Sequence, residues 1–225
     1  MSIDPSQFNF ENGVALVGGG TCTPTEFHSV IKHTSNLVGI DGGTETIIDY
    51  GFEPDLIVGD LDSLSEECRK KYRHKTIQIL DQDRTDLDKA IGSINAPFLL
   101  AVGVLGDRVD HGLGACNILL KYPQKNLLIL NNSDLCFLAP PKLSLTLPQN
   151  ERISLFPFKK MRGISVGLNW EINEIYFDPA GMTGISNYCI DTNIHMEFSS
   201  PDMIVIVPNS NLPTIIGELQ ETAFW

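Results

Sequence analysis

No stretch of this sequence is apolar for the roughly 18 residues that a membrane-spanning helix requires. The opening residues, Met1-Ser2-Ile3-Asp4-Pro5, lack the basic and apolar segments of a signal peptide. Positive charge is also scarce, with 16 Lys and Arg against 28 Asp and Glu and a formal net charge of −12. Nucleic acid and anionic membrane both attract proteins through basic surface, so neither is expected as a partner. The five cysteines, Cys22, Cys68, Cys116, Cys136 and Cys189, form no C-x-x-C pair, and the five histidines show no zinc-ligand spacing. The chain contains no Gly-Lys pair and no G-x-G-x-x-G, so neither a P-loop nor a dinucleotide fingerprint is complete, and a nicotinamide dehydrogenase is disfavoured. No cysteine has an evident catalytic partner, and nucleophilic hydrolysis is not expected. The expectation is a cytoplasmic protein with reduced, mainly structural thiols.

What is present is enough apolar content for a sizeable core, 42% before the 19 glycines are added. A length of 225 residues suits one or two domains. From Gly13 to about Asn131, short apolar runs alternate with amphipathic stretches, the pattern of strand and helix units on a mostly parallel sheet. Strands are expected at 14–17, 56–58, 76–80, 98–102 and 126–130, and helices at 24–34, 44–50, 65–72, 86–95 and 109–122. Beyond Asn131, Pro140-Pro141, the alternating run 142–147, and the runs 153–156 and 203–207 lack helical periodicity. That half reads as all-β, a small sandwich. The chain is accordingly divided into an α/β domain over 1–135 and a β-sandwich over 136–225, with the change falling near 132–142.

Aspartates recur where the expected strands end. Asp41-Gly42-Gly43 follows the apolar run closing at Ile40, and Gly59-Asp60-Leu61-Asp62-Ser63 follows Leu56-Ile57-Val58. Asp81-Gln82-Asp83-Arg84-Thr85-Asp86 follows Ile79-Leu80, and Gly106-Asp107-Arg108-Val109-Asp110 comes after the run 98–102. In an open parallel sheet, those strand ends form the ligand crevice. Carboxylates gathered there repel one another unless a cation neutralises them, and Mg²⁺ prefers hard oxygen ligands completed by water and substrate phosphates. Each aspartate alone also suits a turn or a helix cap, Asp86 in particular. Gly18-Gly19-Gly20-Thr21 fits either a tight strand-to-helix turn or a phosphate cradle. Arg84 and Arg108 fit either structural ion pairs or a guanidinium aimed at a phosphoryl group, the latter favoured for Arg108. His111 fits a local hydrogen bond.

In order and spacing, these four acidic segments resemble thiamine pyrophosphokinases. Gly167-Leu168-Asn169-Trp170 and Gly184-Ile185-Ser186-Asn187 are similar to that family's thiamine-contacting segments, so the likeness runs from about Gly13 to Pro208. The resemblance implies an ATP- and metal-binding α/β domain, a β-sandwich that binds thiamine and dimerises, and a homodimer with thiamine sites between subunits. It implies the conversion of ATP and thiamine to AMP and thiamine diphosphate. By motif match, Asp60, Asp62 and Asp86 correspond to Mg²⁺ ligands. Asp41, Asp86, Arg108 and Asp110 are the catalytic candidates, and Gly19, Gly42, Gly43, Gln82, Arg84, Thr85 and Arg108 the ATP-binding ones. Trp170, Ser186 and Asn187 correspond to thiamine contacts, although Trp170 alone would suit a sandwich core and the other two a polar turn. Asp107 departs from the family, which usually carries a small residue before the arginine. The tail from Asn209 to Trp225 matches nothing clearly and is given no role. A related diphosphokinase acting on a hydroxymethyl pterin, or a noncatalytic nucleotide or thiamine sensor, would reuse much of the same pattern.

Overall fold

A computed structural model describes residues 8–106 and 108–225, so Met1 to Gln7 and Asp107 lie outside the described residues. The chain divides into two units, one reaching to Ile118 with Ile129–Asn132 added, the other made of Leu119–Leu128 and Ser133–Trp225.

The elements leading through the first unit are β1 (Phe8–Asn9), β2 (Val14–Val17), α1 (Pro24–Ile31), β3 (Asn36–Ile40), α2 (Gly43–Asp49) and β4 (Leu56–Gly59). They continue with α3 (Glu66–Lys71), β5 (Thr76–Gln78), α4 (Asp86–Ser93), β6 (Ile94–Asn95), β7 (Leu99–Val102), α5 (Val109–Lys121) and β8 (Leu127–Leu130). Strands β2, β4 and β7 are short apolar runs buried at every position, as a sheet covered on both faces demands. They lie in the order β7-β2-β3-β4-β5 with every neighbour parallel, Val14 standing opposite both Asn36 and Leu99. Parallel neighbours need crossovers, and the helices supply them.

Local sequence starts those helices. Thr23 accepts the amide of Glu26 while the Glu26 carboxylate accepts the amide of Thr23, a capping box with Pro24 in the first turn. Ser65 caps α3, whose first turn is acidic and whose last turn carries Arg69, Lys70 and Lys71, in line with the helix dipole. Thr85, and not Asp86, caps α4 by accepting the Asp88 amide. Asp86 is the first helical residue, so capping does not account for it. Strand β5 is shorter than expected, ending at Gln78, and Leu80 is exposed.

The second unit contains β9 (Asp134–Leu138), β10 (Lys142–Thr146), β11 (Arg152–Pro157), β12 (Met161–Val166), β13 (Tyr176–Phe177), β14 (Gly184–Tyr188), β15 (Asn193–Phe198), β16 (Met203–Pro208) and α6 (Leu212–Gln220). One run of strands has the order β14-β11-β16-β9 and another β10-β15-β12-β13, and the pairs within each are antiparallel. Strict alternation along β10, β12 and β15 buries one face of the second sheet and exposes the other. The expectation of an all-β second half does not extend to the tail. Leu212, Ile215, Ile216 and Leu219 fall at helical spacing, and all four are buried on α6.

All five cysteines are free. Desolvation pushes the thiols of Cys22 and Cys189 up to about 11, which suits inert packing groups. Among the described residues, no helix is long and apolar enough to cross a membrane. Leu16 is fully buried on the central strand β2, so Leu16→Ala should cost about 2–5 kcal/mol. A urea titration followed by tyrosine and tryptophan fluorescence and by circular dichroism would check this, and an unchanged midpoint would mean that the first unit tolerates a cavity there.

Candidate active site

The parallel strands end in loops that the backbone brings into close contact. A Cβ on Gly43 would lie 2.0 Å from the carbonyl oxygen of Val17, one on Gly18 2.6 Å from that of Gly103, and one on Gly59 2.9 Å from the Asp41 Cβ. Only glycine allows these approaches. Gly18 and Gly20 spend their amides on the carbonyls of Val102 and Gly103. Exposed Gly19 makes no such bond among the described residues, so its amide stays available to a ligand.

Asp41, at the end of β3, Asp60, at the end of β4, and Asp86, at the start of α4, bring one carboxylate oxygen each within 4.8 Å of one another. Asp41 is 8% exposed, sits in the left-handed region at φ 45°, and its Oδ1 has no hydrogen-bond partner among the described residues. A buried carboxylate oxygen left unpaired is costly, and here it points to a bound cation. The donor set is all hard oxygen. An octahedral Mg²⁺ with bonds near 2.1 Å sets its ligands about 3–4 Å apart, so these three carboxylates need only small rotations to share one ion.

Asp62 is not among the three. Leu61 takes a left-handed turn at φ 71°, anchored by its side chain in a cluster with Ile57, Leu64, Cys68 and Tyr72. The turn directs the Asp62 amide onto Asp60 Oδ1 at 3.2 Å, while the Asp62 carboxylate accepts the Ser63 hydroxyl. That amide, with Lys89 and Gln82 behind it, holds the Asp60 carboxyl below the usual aspartate range. Of the residues expected as metal ligands, the structure brings Asp60 and Asp86 together with Asp41, while Asp62 lies beside Asp60 and outside that group.

Lys89 is the residue that sequence reading missed. It is 2% exposed, with its ammonium 2.8 Å from Asp86 Oδ1 and 3.9 Å from Asp60 Oδ2. The signal was available: Lys89 falls three residues after Asp86, on the same helix face.

The two arginines are ion-paired. Arg84 bonds Asp81 at 2.7 Å, and its guanidinium pulls the Asp81 carboxyl down. Arg108, 67% exposed in its side chain, grips both oxygens of Asp110 at 3.1 and 2.6 Å, which lowers the Asp110 carboxyl and raises the guanidinium. The His111 amide caps the same carboxylate. Gln82 and Thr85 are exposed beside these loops, and Gly42 precedes α2.

In the second unit, Trp170 is 58% exposed and therefore not a core residue. Its backbone is clamped by buried Asn187, whose Oδ1 accepts the Trp170 amide and whose Nδ2 donates to the Trp170 carbonyl. Tyr188 supports the indole edge-on at 5.5 Å. Ser186, at φ 60°, is exposed in an irregular stretch of the β11–β14 pairing, its amide donating to Ser154 Oγ. Gly163-Ile164-Ser165-Val166-Gly167 does spell G-x-S-x-G, but it lies along β12 and not at a strand-to-helix elbow. Ser165 is buried and its hydroxyl donates to Glu171, so it is no nucleophile.

A family model described as the catalytic domain of thiamin pyrophosphokinase matches residues 27–130. Thiamine pyrophosphokinase 3 of Oryza sativa subsp. japonica is 30% identical over 156 residues, covering 60% of this chain and 58% of the relative. Thiamine pyrophosphokinase of Bacillus subtilis is 27% identical over 182 residues, covering 75% and 85%. The chain thus spans less than two thirds of that rice relative. A crystal structure of thiamine pyrophosphokinase from Bacillus subtilis has a TM-score of 0.71 at 23% identity, covering 88% of this chain and 98% of that one. Thiamin pyrophosphokinase from Candida albicans has a TM-score of 0.75 at 17% identity, covering 92% and 94%. At those identities the two structures establish the likeness of fold.

Asparagine tolerates the left-handed backbone of residue 41, so Asp41→Asn removes an anionic ligand without strain. It should weaken Mg²⁺ binding about tenfold or more while leaving the melting temperature in EDTA unchanged or raised, since one like charge is gone. Calorimetric Mg²⁺ titration and a thermal scan check both halves, and undiminished Mg²⁺ affinity would remove Asp41 from the site.

Proposed function

The chain belongs to the thiamin pyrophosphokinase family, and from that premise we propose that it transfers a diphosphate from ATP to thiamine, giving thiamine diphosphate and AMP. The observation that carries this reading is the convergence of the Asp41, Asp60 and Asp86 carboxylates, with a buried, unpartnered oxygen on Asp41. A site of that kind suits a metal-bound polyphosphate. Neither the pterin-directed enzyme nor the noncatalytic sensor is favoured by any observation.

Asp41, Asp60 and Asp86 hold Mg²⁺, which when bound offsets charge on the triphosphate oxygens. Asp62, a further metal ligand by the family likeness, would stand beside that ion, next to Asp60, whose Oδ1 accepts its amide. Gly19, Gly42 and Gly43 let the backbone approach the phosphates, and Gln82, Arg84 and Thr85 border the same loops. The primary hydroxyl oxygen of thiamine bonds to the β-phosphorus in line with the departing group. The bond from that phosphorus to the α,β-bridging oxygen breaks, and AMP leaves with the oxygen. The hydroxyl proton passes to a carboxylate or to water. Arg108 meets the charge that develops on the phosphoryl oxygens, and Asp110 holds its guanidinium in orientation.

The residues up to 135 thus form the ATP- and metal-binding domain, with the mostly parallel sheet as its frame, and 136–225 the thiamine-binding and dimerising domain. Trp170 offers its ring face to the thiazolium cation, with Ser186 and Asn187 beside it. A cytoplasmic setting suits the five free thiols. The protein acts as a homodimer, a reading supported by the outward-facing, exposed Ile164, Val166 and Tyr176 on the sheet of the second unit.

With Mg²⁺, ATP and thiamine supplied together, AMP should form in step with thiamine diphosphate. Formation of ADP with thiamine monophosphate would instead establish γ-phosphoryl transfer and overturn the proposal. The dimer carries its own test: subunits bearing Asp60→Asn and Trp170→Ala, each inactive alone, should regain activity when exchanged into heterodimers if each site draws on both chains. Heterodimers seen by mass spectrometry without recovered activity would place the whole site within one chain.

A further inference from the structure

Lysine is seldom fully buried unless paired, yet Lys89 is 2% exposed and lies among acidic groups. Its ammonium contacts two of the three clustered carboxylates, Asp86 at 2.8 Å and Asp60 at 3.9 Å, whereas Asp41 Oδ1 is left without a partner. Three carboxylates and one ammonium sum to −2, the charge that a single divalent cation neutralises. The side chain is nearly enclosed and its ammonium is held by a hydrogen bond to Asp86 Oδ1 beside Asp60, so it serves the site through those carboxylates.

Resting on the magnesium reading above, we propose that Lys89 is a built-in cation standing where a second metal ion would otherwise sit: it positions Asp60 and Asp86 and limits the protein's own site to one Mg²⁺, whose remaining ligand is Asp41. Lys89 is a positioning residue on this account. Its removal leaves three carboxylates facing one another, which destabilises the metal-free protein, and it opens a second cation position.

The test is Lys89→Met, which keeps the length and apolar stem of the side chain. In EDTA its melting temperature should fall by about 10 °C, the scale expected when one partner of a buried pair is lost from a protein of this size. Mg²⁺ should restore most of that fall, against a shift of a few degrees in the unaltered protein. Without nucleotide, Mn²⁺ binding read by electron paramagnetic resonance should rise from one ion per chain to two. Asp86→Asn/Lys89→Met removes one charge of each sign, so it should be more stable in EDTA than Lys89→Met and should not take up two ions. A fall of equal size in EDTA and in Mg²⁺, or no gain from adding Asp86→Asn, would mean that Lys89 only packs and would overturn the proposal. A single variant too unstable to purify leaves the double variant decisive, because its failure to fold as well would be the packing result. If the unaltered protein binds no Mn²⁺ and its melting temperature ignores Mg²⁺, the magnesium reading fails by itself. The gain in EDTA from adding Asp86→Asn still reports on the countercharge.

Discussion

Three carboxylates whose oxygens lie within 4.8 Å of one another cannot be a neutral outcome of folding. At the effective dielectric of a partly buried site, each pair at that distance repels by about 3 kcal/mol. The surroundings are organised around tolerating this charge. Lys89 offsets part of it from inside, and the Asp62 amide and Gln82 hydrogen-bond Asp60. Asp41 retains an oxygen that nothing among the described residues satisfies. The crevice is thus left with the charge and the open ligand that a divalent cation carrying a polyphosphate would complete.

Backbone packing makes that concentration of charge possible. Parallel strands β2, β3, β4 and β7 end at a common edge, and glycines at 18, 43 and 59 let the loops pass closer than any side chain would permit. The turn at Leu61 shows the same economy: a left-handed leucine is strained, and the burial of its side chain with Ile57, Leu64, Cys68 and Tyr72 offsets the strain. The consequence is chemical, because this turn puts the Asp62 amide on Asp60 Oδ1 and leaves the Asp62 carboxylate outside the group of three. The remaining charged pairs, Arg84 with Asp81 and Arg108 with Asp110, keep basic groups beside the crevice in a protein whose net charge is −12.

The second unit handles its exposed aromatic differently. Trp170 is held by its backbone through Asn187 and steadied on one edge by Tyr188, which leaves a ring face for a ligand without letting the segment drift. Burial of the Asn187 amide against a partner that uses both its donor and its acceptor makes this a rigid clamp. A polar turn, the alternative weighed from sequence, would fix nothing.

Much was legible from residue order alone. The apolar runs that became β2, β4 and β7, the starts of α1, α3 and α4, and the placing of aspartates after strands all follow from periodicities and preferences that act over a few residues. So did the candidacy of Asp60 and Asp86. The helix α6 was equally local and was overlooked only because the preceding strands set the expectation for the tail. Which carboxylates meet was a different matter. Asp41 joins Asp60 and Asp86 because β3 lies beside β4 in a parallel register, and the turn at Leu61, drawn into a core built from residues up to eleven positions further on, sets how Asp62 meets Asp60. Lys89 is charged on paper and buried in fact, a state set by what surrounds α4 and not by α4 itself. Residue order determined which groups were available at the strand ends. Strand neighbours, buried anchors and desolvation act across distant parts of the chain, and they alone decided which of those groups share one site.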